Sequence, residues 1–252
     1  MKDRISQYLP PHRMEKIICL EETESTNTYL KSLAASAPEG LAVIARRQSG
    51  GRGRVGREFV SPEGGLYLSV LYRLGELPLE AMPCAAVAVR RAVERVCGME
   101  LGIKWVNDLV LGGKKLCGIL AEKEGTALVI GVGINVNTPG FPDSLPDAAS
   151  LAMLGGQSWD IAALAAGVIE ELDAFAEGYP GNLGAYRREY ADNCVNLGCE
   201  VLVIRGEERF AAFAESMGED FSLLVRRPDG RREAVSFGEV SIRGIDGGYL
   251  VP

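Results

Sequence analysis

One histidine, His12, is all that this chain of 252 residues carries. It lies in a Pro-rich N-terminal segment, so a histidine-based catalytic triad is excluded. The six cysteines, Cys19, Cys84, Cys97, Cys117, Cys194 and Cys199, form no C-x-x-C pair. They fall mostly in apolar runs and read as buried, reduced thiols of a cytoplasmic protein, not as metal ligands. With a single histidine and no paired cysteines, no resident metal is expected. No apolar run approaches the roughly 20 residues that span a bilayer, and Met1-Lys2-Asp3-Arg4 leads into nothing like a signal peptide. Positive charge is also in deficit: 27 Lys and Arg face 34 Asp and Glu, a net charge of −7. Only about fifteen residues precede the first strand-like run, too few for a helix-turn-helix. A DNA-binding role is therefore not expected.

What is present is a chain long enough for one large domain and a small one, with 47% apolar residues. Its scarce positive charge is concentrated in Gly50-Gly51-Arg52-Gly53-Arg54-Val55-Gly56-Arg57, where four glycines and three arginines share eight positions. Glycine lets a backbone turn sharply and approach a ligand closely. Arginine adds a planar cation suited to carboxylate and phosphate. The segment lacks the Gly-Lys-Ser/Thr ending of a P-loop, and its spacing is not that of the dinucleotide fingerprint. Disordered RGG segments usually repeat; this one stands once between apolar strands, Leu41–Ala45 and Leu66–Leu71. Against a solvated loop, we read a clamp for a small anion.

Two further segments carry chemistry. In Glu24-Ser25-Thr26-Asn27, Ser25 or Thr26 is a good N-cap for an amphipathic run through Tyr29, Leu30 and Leu33. The same short polar side chains could bind a polar ligand head. Lys104-Trp105-Val106-Asn107-Asp108 leads to Gly112-Gly113, a hairpin turn, and then Lys115 to Leu120. That turn sets Val110 opposite Lys115 and Asp108 opposite Cys117, with Asp108 and Lys115 diagonal on one face. They are either a surface ion pair or a positioned acid–base pair, and one residue of register slip would part them.

In this order these segments resemble the biotin–protein ligases. The resemblance rests on Ser25-Thr26-Asn27, Gln48 with Gly51 to Arg57, Lys104 to Asp108, Lys115 to Glu122, Gly131-Val132-Gly133-Ile134-Asn135, and Gly238 to Arg243. It departs at Val106, where the family carries proline. It implies an ATP-dependent ligase that joins biotin to AMP, releases pyrophosphate, and passes biotin to a lysine of a biotin carboxyl carrier domain. Mg²⁺ would arrive with ATP, held largely by phosphate oxygens.

By the same resemblance, Arg52, Arg54, Lys115 and Asp108 would be catalytic. Biotin would contact Ser25, Thr26, Asn27, Gln48, Gly51, Arg52, Gly53, Arg54, Lys115 and Gly118. ATP would contact Arg54, Arg57, Trp105, Asn107, Asn135 and Arg243. For Trp105, burial in a strand is the ordinary alternative. Asp108 could orient Lys115, help place Mg²⁺ or take a proton from the acceptor lysine. A lipoate or octanoate ligase is the enzyme rival, but that sister family uses a histidine motif. A non-catalytic biotin sensor is the other rival, and ureido binding alone would not need the charged set.

Strands interrupted by helices predict an α+β fold, a mixed sheet with helices on one face. The resemblance implies a catalytic domain like the class II aminoacyl-tRNA synthetase core over residues 1–195. Short strand-like runs from residue 196 to 252 predict a small β-barrel, SH3-like by resemblance. Expected elements are a strand at Lys16–Leu20, helices at Thr26–Ala37, Pro78–Val96, Asp160–Ala176 and Leu183–Asn193, and a Pro-rich loop from Asn137 to Ala149. The strand Ala127–Val136, if exposed, could pair across a homodimer.

Overall fold

A computed structural model describes residues 1–75, 80–236 and 240–244, with the backbone alone for Val55, Val240, Ser241 and Arg243. In chain order the elements are α1 (Lys2–Ile5), α2 (Pro11–Met14), β1 (Ile17–Thr23), α3 (Thr26–Ser32) and β2 (Ala42–Gln48). A 3-10 turn at Arg54–Gly56 precedes β3 (Leu66–Tyr72), α4 (Ala81–Cys97), β4 (Gly102–Lys104), β5 (Asp108–Leu111), β6 (Lys114–Glu124) and β7 (Ala127–Ile134). Then come α5 (Leu151–Gly155), α6 (Ile161–Gly178), α7 (Leu183–Asp192), β8 (Glu200–Arg205), β9 (Glu208–Met217), β10 (Leu223–Arg226), β11 (Arg232–Val235) and β12 (Val240–Gly244).

Seven strands form a mixed sheet in the order β1-β2-β3-β7-β6-β5-β4. β1 and β2 run parallel and the other neighbours antiparallel. Alternation decides which side chains meet which layer. Leu68, Val70, Ile130, Val132 and Ile134 face the layer of α4 and α6 and join its core. Their neighbours on the opposite face, Val43, Leu71 and Val129, pack under Leu30 of α3. The helices therefore do not all lie on one face, contrary to the expectation from sequence. α3 crosses the other face because its own apolar stripe needs cover, and it covers only part of that face. The uncovered part is the site described below.

The helix α4 shows why the pattern was readable. Ala85, Ala88, Val89, Ala92 and Val93 recur at helical spacing and are fully buried. Gly98 closes it at φ 63°, the left-handed conformation that suits glycine. The expected start at Pro78 lies outside the described residues. α3 ends at Ser32, short of the expected Ala37, with turns rather than α-helix carrying the chain onward. α1, α2 and α5 span only 4, 4 and 5 residues, too short to leave a period in the sequence.

Two expectations about pairing are corrected. β7 is bonded to β3 on one side and β6 on the other, so it has no edge to offer a second copy. In the β5–β6 hairpin, Leu111 faces Lys114 and Val110 faces Lys115 as expected, but Asp108 faces Gly118 and not Cys117. The register shifts between Leu109 and Val110, leaving Leu116 as the extra residue of a β-bulge.

The C-terminal strands make a five-stranded antiparallel sheet in the order β11-β10-β9-β8-β12. It joins the large sheet through Trp105, which is 2% exposed. The Trp105 backbone N–H donates to Asn196 Oδ1 at 2.7 Å and its indole N–H to the Phe221 carbonyl at 2.9 Å. Tyr190 of α7 meets the Phe221 ring edge-on at 5.5 Å. Val201, Val203, Phe221 and Ile242 consequently belong to the same apolar cluster as the core of the large sheet.

Candidate active site

A cavity of about 250 Å³ opens on the α3 side of the large sheet, at the N-terminus of that helix. Its floor exists because side chains are missing from it. Gly118 of β6 pairs with Gly133 of β7, and Gly131 lies two residues along the same face. A Cβ on Gly131 would run into the Asn27 amide, and one on Gly133 would meet the Phe59 ring at 2.6 Å. Glycine here makes room, and Asn27 and Phe59 use it.

The polar end of the cavity comes from the start of α3. Ser25 is the N-cap, its Oγ accepting from the Thr28 N–H at 3.4 Å. Thr26 and Asn27, in the first turn, are buried. Gln48 at the end of β2 accepts at Oε1 from the Thr26 N–H at 2.8 Å, and its amide donates to Ser61 Oγ at 2.8 Å. Asn27 donates to Glu122 Oε2 at 2.8 Å, and Lys31 reaches Glu122 Oε1 at 2.7 Å. Burial alone would raise the Glu122 pKa. The hydrogen bonds from Lys31 and Asn27 outweigh it and hold the carboxyl below its ordinary value.

The charged end comes from the Arg/Gly segment and the bulged hairpin. The segment folds back on itself: the Gly53 N–H donates to the Arg57 carbonyl at 2.7 Å and the Phe59 N–H to the Gly51 carbonyl at 2.9 Å. Arg54 donates to Asn107 Oδ1 at 3.2 Å. Burial pulls its pKa down, opposed by Asp108 nearby, from a starting value so high that it stays a cation. Arg52 lies further out, paired with Glu24 at 2.8 Å with both side chains about half exposed. Lys115 Nζ sits 2.7 Å from Asp108 Oδ1 and 5.7 Å from the Phe59 ring centre. The bulge does not part this pair, because Lys115 stays opposite Val110 on the Asp108 face and its long stem covers the remaining offset. Arg52, Arg54, Arg57 and Lys115 against Glu58 and Asp108 leave the lining net positive in an acidic protein. Such a cavity attracts anions.

The segment expected as a loop between Asn137 and Ala149 forms one wall. It is tied to β6, where the Lys115 N–H donates to the Asp147 carbonyl at 2.6 Å and the Ala149 N–H to the Lys115 carbonyl at 3.0 Å. Asn135 Nδ2 holds the same segment through the Ala149 carbonyl at 3.0 Å. Phe141 and Leu145 from this wall, with Phe59 and Val60, give the cavity its apolar surface.

Of the residues singled out from sequence, Ser25, Thr26, Asn27, Gln48, Arg52, Gly53, Arg54, Arg57, Asn107, Asp108, Lys115, Gly118 and Asn135 line this one cavity. Gly51 does not; it is the tight turn behind it, where a Cβ would strike the Phe59 carbonyl and crowd Gln48. Trp105 is placed away from the cavity, in the seam to the small sheet. Arg243 has its backbone in β12, opposite Leu202, and its side chain lies outside the described residues, as do Gly238 and Glu239. The Trp105–Val106 peptide, where Val106 replaces the family's proline, is cis. Sequence reasoning missed Phe59, Phe141 and Leu145, which lie outside the matched motifs, and the part played by Glu122, which lay inside one.

The chain is similar to known proteins over most of its length. Residues 19–138 match the model of the biotin/lipoate A/B protein ligase family. The biotin–[acetyl-CoA-carboxylase] ligase of Mycobacterium tuberculosis is 32% identical over 231 residues, covering 87% of this chain and 86% of that protein. The bifunctional ligase/repressor BirA of Bacillus subtilis is 41% identical over 172 residues, 63% of this chain. The chain spans about half the length of that relative, 51%. The biotin protein ligase of Aquifex aeolicus, solved in complex with biotin and ATP, superposes with a TM-score of 0.83 at 29% identity, over 90% of this chain and 98% of that one. The chain belongs to the biotin–protein ligases of the biotin/lipoate A/B protein ligase family.

Proposed function

We propose that this chain activates biotin with ATP to biotinyl-5′-adenylate, releasing pyrophosphate, and transfers biotin to a lysine of a biotin carboxyl carrier domain. The observation that carries the reading is one cavity with hydrogen-bonding groups at one end and a cluster of cations at the other. A ureido ring at Ser25, Thr26 and Gln48 places the valerate carboxylate toward Arg54 and Lys115. A carboxylate is a poor electrophile, so it must first attack the α-phosphate of ATP. Negative charge then grows on phosphate oxygens, and fixed cations in a partly buried site stabilise that state more than the ground state. Arg54 and Lys115 fill this role, and Asp108 holds the Lys115 ammonium in place. Arg52, at the rim, closes over the adenylate and slows its escape. Arg57, Asn107 and Asn135 face the nucleotide.

In the second step the acceptor lysine attacks the mixed anhydride and AMP leaves. The amine must first lose a proton, since its ordinary pKa is about 10.4. Asp108 is the cavity carboxylate beside Lys115 and is suited to receive it. Mg²⁺ would come with ATP. Among the described residues no group of three or more His, Cys, Asp and Glu could hold a metal, so phosphate oxygens would supply most of its ligands. The ion would neutralise phosphate charge.

The sister chemistry with lipoate or octanoate is less favoured, because an acyl tail brings no donor to the polar end. Incubation with biotin, MgATP and an apo carrier domain, followed by mass spectrometry of the acceptor lysine, tests the reading. A biotinylated lysine is expected; an unmodified lysine here, with a lipoylated one in a parallel incubation with lipoate, would overturn it.

A further inference from the structure

The polar end of the cavity is joined to a partly buried ion pair by a chain of hydrogen bonds whose direction follows from which atoms carry protons and from their distances. Glu122, a carboxylate held by Lys31, can only accept. Asn27 must therefore turn its NH₂ to Glu122 Oε2, at 2.8 Å, which leaves Oδ1 facing the other way. Ser69 Oγ lies 2.6 Å from that oxygen and 2.7 Å from Thr26 Oγ1, and it has one proton to give. An amide oxygen cannot donate, so the Ser69 proton goes to Asn27. The contact between Ser69 and Thr26 then takes its proton from Thr26. Thr26 Oγ1 also lies 3.1 Å from Gln48 Oε1, but its single proton cannot serve both contacts. The distances decide: 2.7 Å is the usual O–H···O length and 3.1 Å is beyond it. Gln48 Oε1 is itself fixed as an acceptor by the Thr26 N–H. Two acceptors, Thr26 Oγ1 and Gln48 Oε1, thus stand side by side with no proton between them.

We infer that Glu122, Asn27 and Ser69 form a directed relay that commits the Thr26 hydroxyl proton inward and makes the polar end of the cavity an obligate acceptor for a ligand N–H. The inference rests on the ureido ring lying at this end, and it assigns selectivity to residues that no ligand touches. Ser69 is fully buried in β3, and neither Ser69 nor Glu122 lines the cavity. They are positioning residues. A ligand N–H completes the arrangement; an acyl chain or a dithiolane leaves two oxygens facing each other in a partly buried site, which disfavours it.

The test is a set of binding titrations with biotin on the full chain. Ser69→Ala removes the acceptor for Thr26, whose hydroxyl then turns to Gln48 and blocks the incoming N–H. Glu122→Ala leaves only the long 3.4 Å contact to the Leu120 carbonyl to orient the Asn27 amide, which can then reverse, so Ser69 donates to Thr26 and the same block follows. Each change is expected to raise the biotin Kd about tenfold, the loss of roughly one hydrogen bond. At saturating biotin, the rate of pyrophosphate exchange is expected to stay unchanged. In a Thr26→Val background, which removes the relay's end, neither change should cost anything more. Full additivity with Thr26→Val, or unchanged affinity in Ser69→Ala and Glu122→Ala, would overturn the relay while leaving the ligase reading intact. No biotin binding by the unaltered protein would instead remove the ligand assignment and the relay with it.

Discussion

At the residue, what a cation can do depends on where it sits relative to solvent. Arg54 is drawn in far enough that burial lowers its pKa, yet it remains charged, whereas Arg52 is half exposed and paired with Glu24. A cation in a dry site stabilises developing charge much more than one in water. Arg54→Ala is therefore expected to slow adenylate formation by about a hundredfold or more, the usual effect of removing one transition-state donor. Pyrophosphate exchange at saturating biotin and ATP measures this, and near-normal exchange would take Arg54 out of the chemistry. Most of these side chains were legible because charged residues among glycines have few structural uses. Trp105 was expected against the nucleotide and lies in the seam instead, because an aromatic beside a charged motif fits a ligand wall as well as a buried seam in sequence. The indole N–H to the Phe221 carbonyl joins residues 116 positions apart, and no local pattern encodes that.

At the scale of the element, strand existence followed from composition, but register did not. The Gly112-Gly113 turn sets the first two pairs of the hairpin, and the bulge at Leu116 then shifts the rest. Nothing in Lys-Leu-Cys-Gly-Ile announces that bulge. The floor glycines carry the opposite lesson: Gly131 and Gly133 alternate with buried Ile130, Val132 and Ile134, so beyond Val129 one face of β7 is core and the other carries no side chain. Gly131→Ala places a methyl where the Asn27 amide lies, and strand backbone cannot move aside easily. We expect a destabilisation of about 1–3 kcal/mol from overpacking, with loss of biotin affinity larger than that of ATP affinity. Denaturant melts and separate titrations of the two ligands check this; equal losses for both would place the effect in general unfolding.

At the scale of the whole molecule, one apolar cluster runs through both sheets. Heat unfolding is therefore expected as a single transition, and Trp105→Phe should lower it. That change leaves the buried Phe221 carbonyl without its donor, a cost of about 1–3 kcal/mol. Calorimetry that resolved two transitions would contradict a shared core. The thiols give a pH dependence with a definite sign. Burial pushes Cys97 and Cys194 up to about 11 from 9.0, and raises Cys84 and Cys117 further. An unfolded thiol ionises near its ordinary value while the folded one stays neutral, so the unfolded state loses protons first and stability falls as pH rises. The stabilisation is complete below the unfolded value and is lost progressively from pH 9.0 toward 11. Chemical denaturation between pH 8 and 10 should show a falling midpoint; a flat profile would mean the thiols are accessible when folded.

The most direct test of the central claim is ATP–pyrophosphate exchange, with biotin, lipoate and octanoate supplied separately to the purified chain. Exchange with biotin alone is the predicted result, and it establishes carboxylate activation and ligand choice together. Exchange with lipoate or octanoate but not biotin would contradict the assignment of the polar end. Biotin binding without any exchange would contradict the enzyme itself.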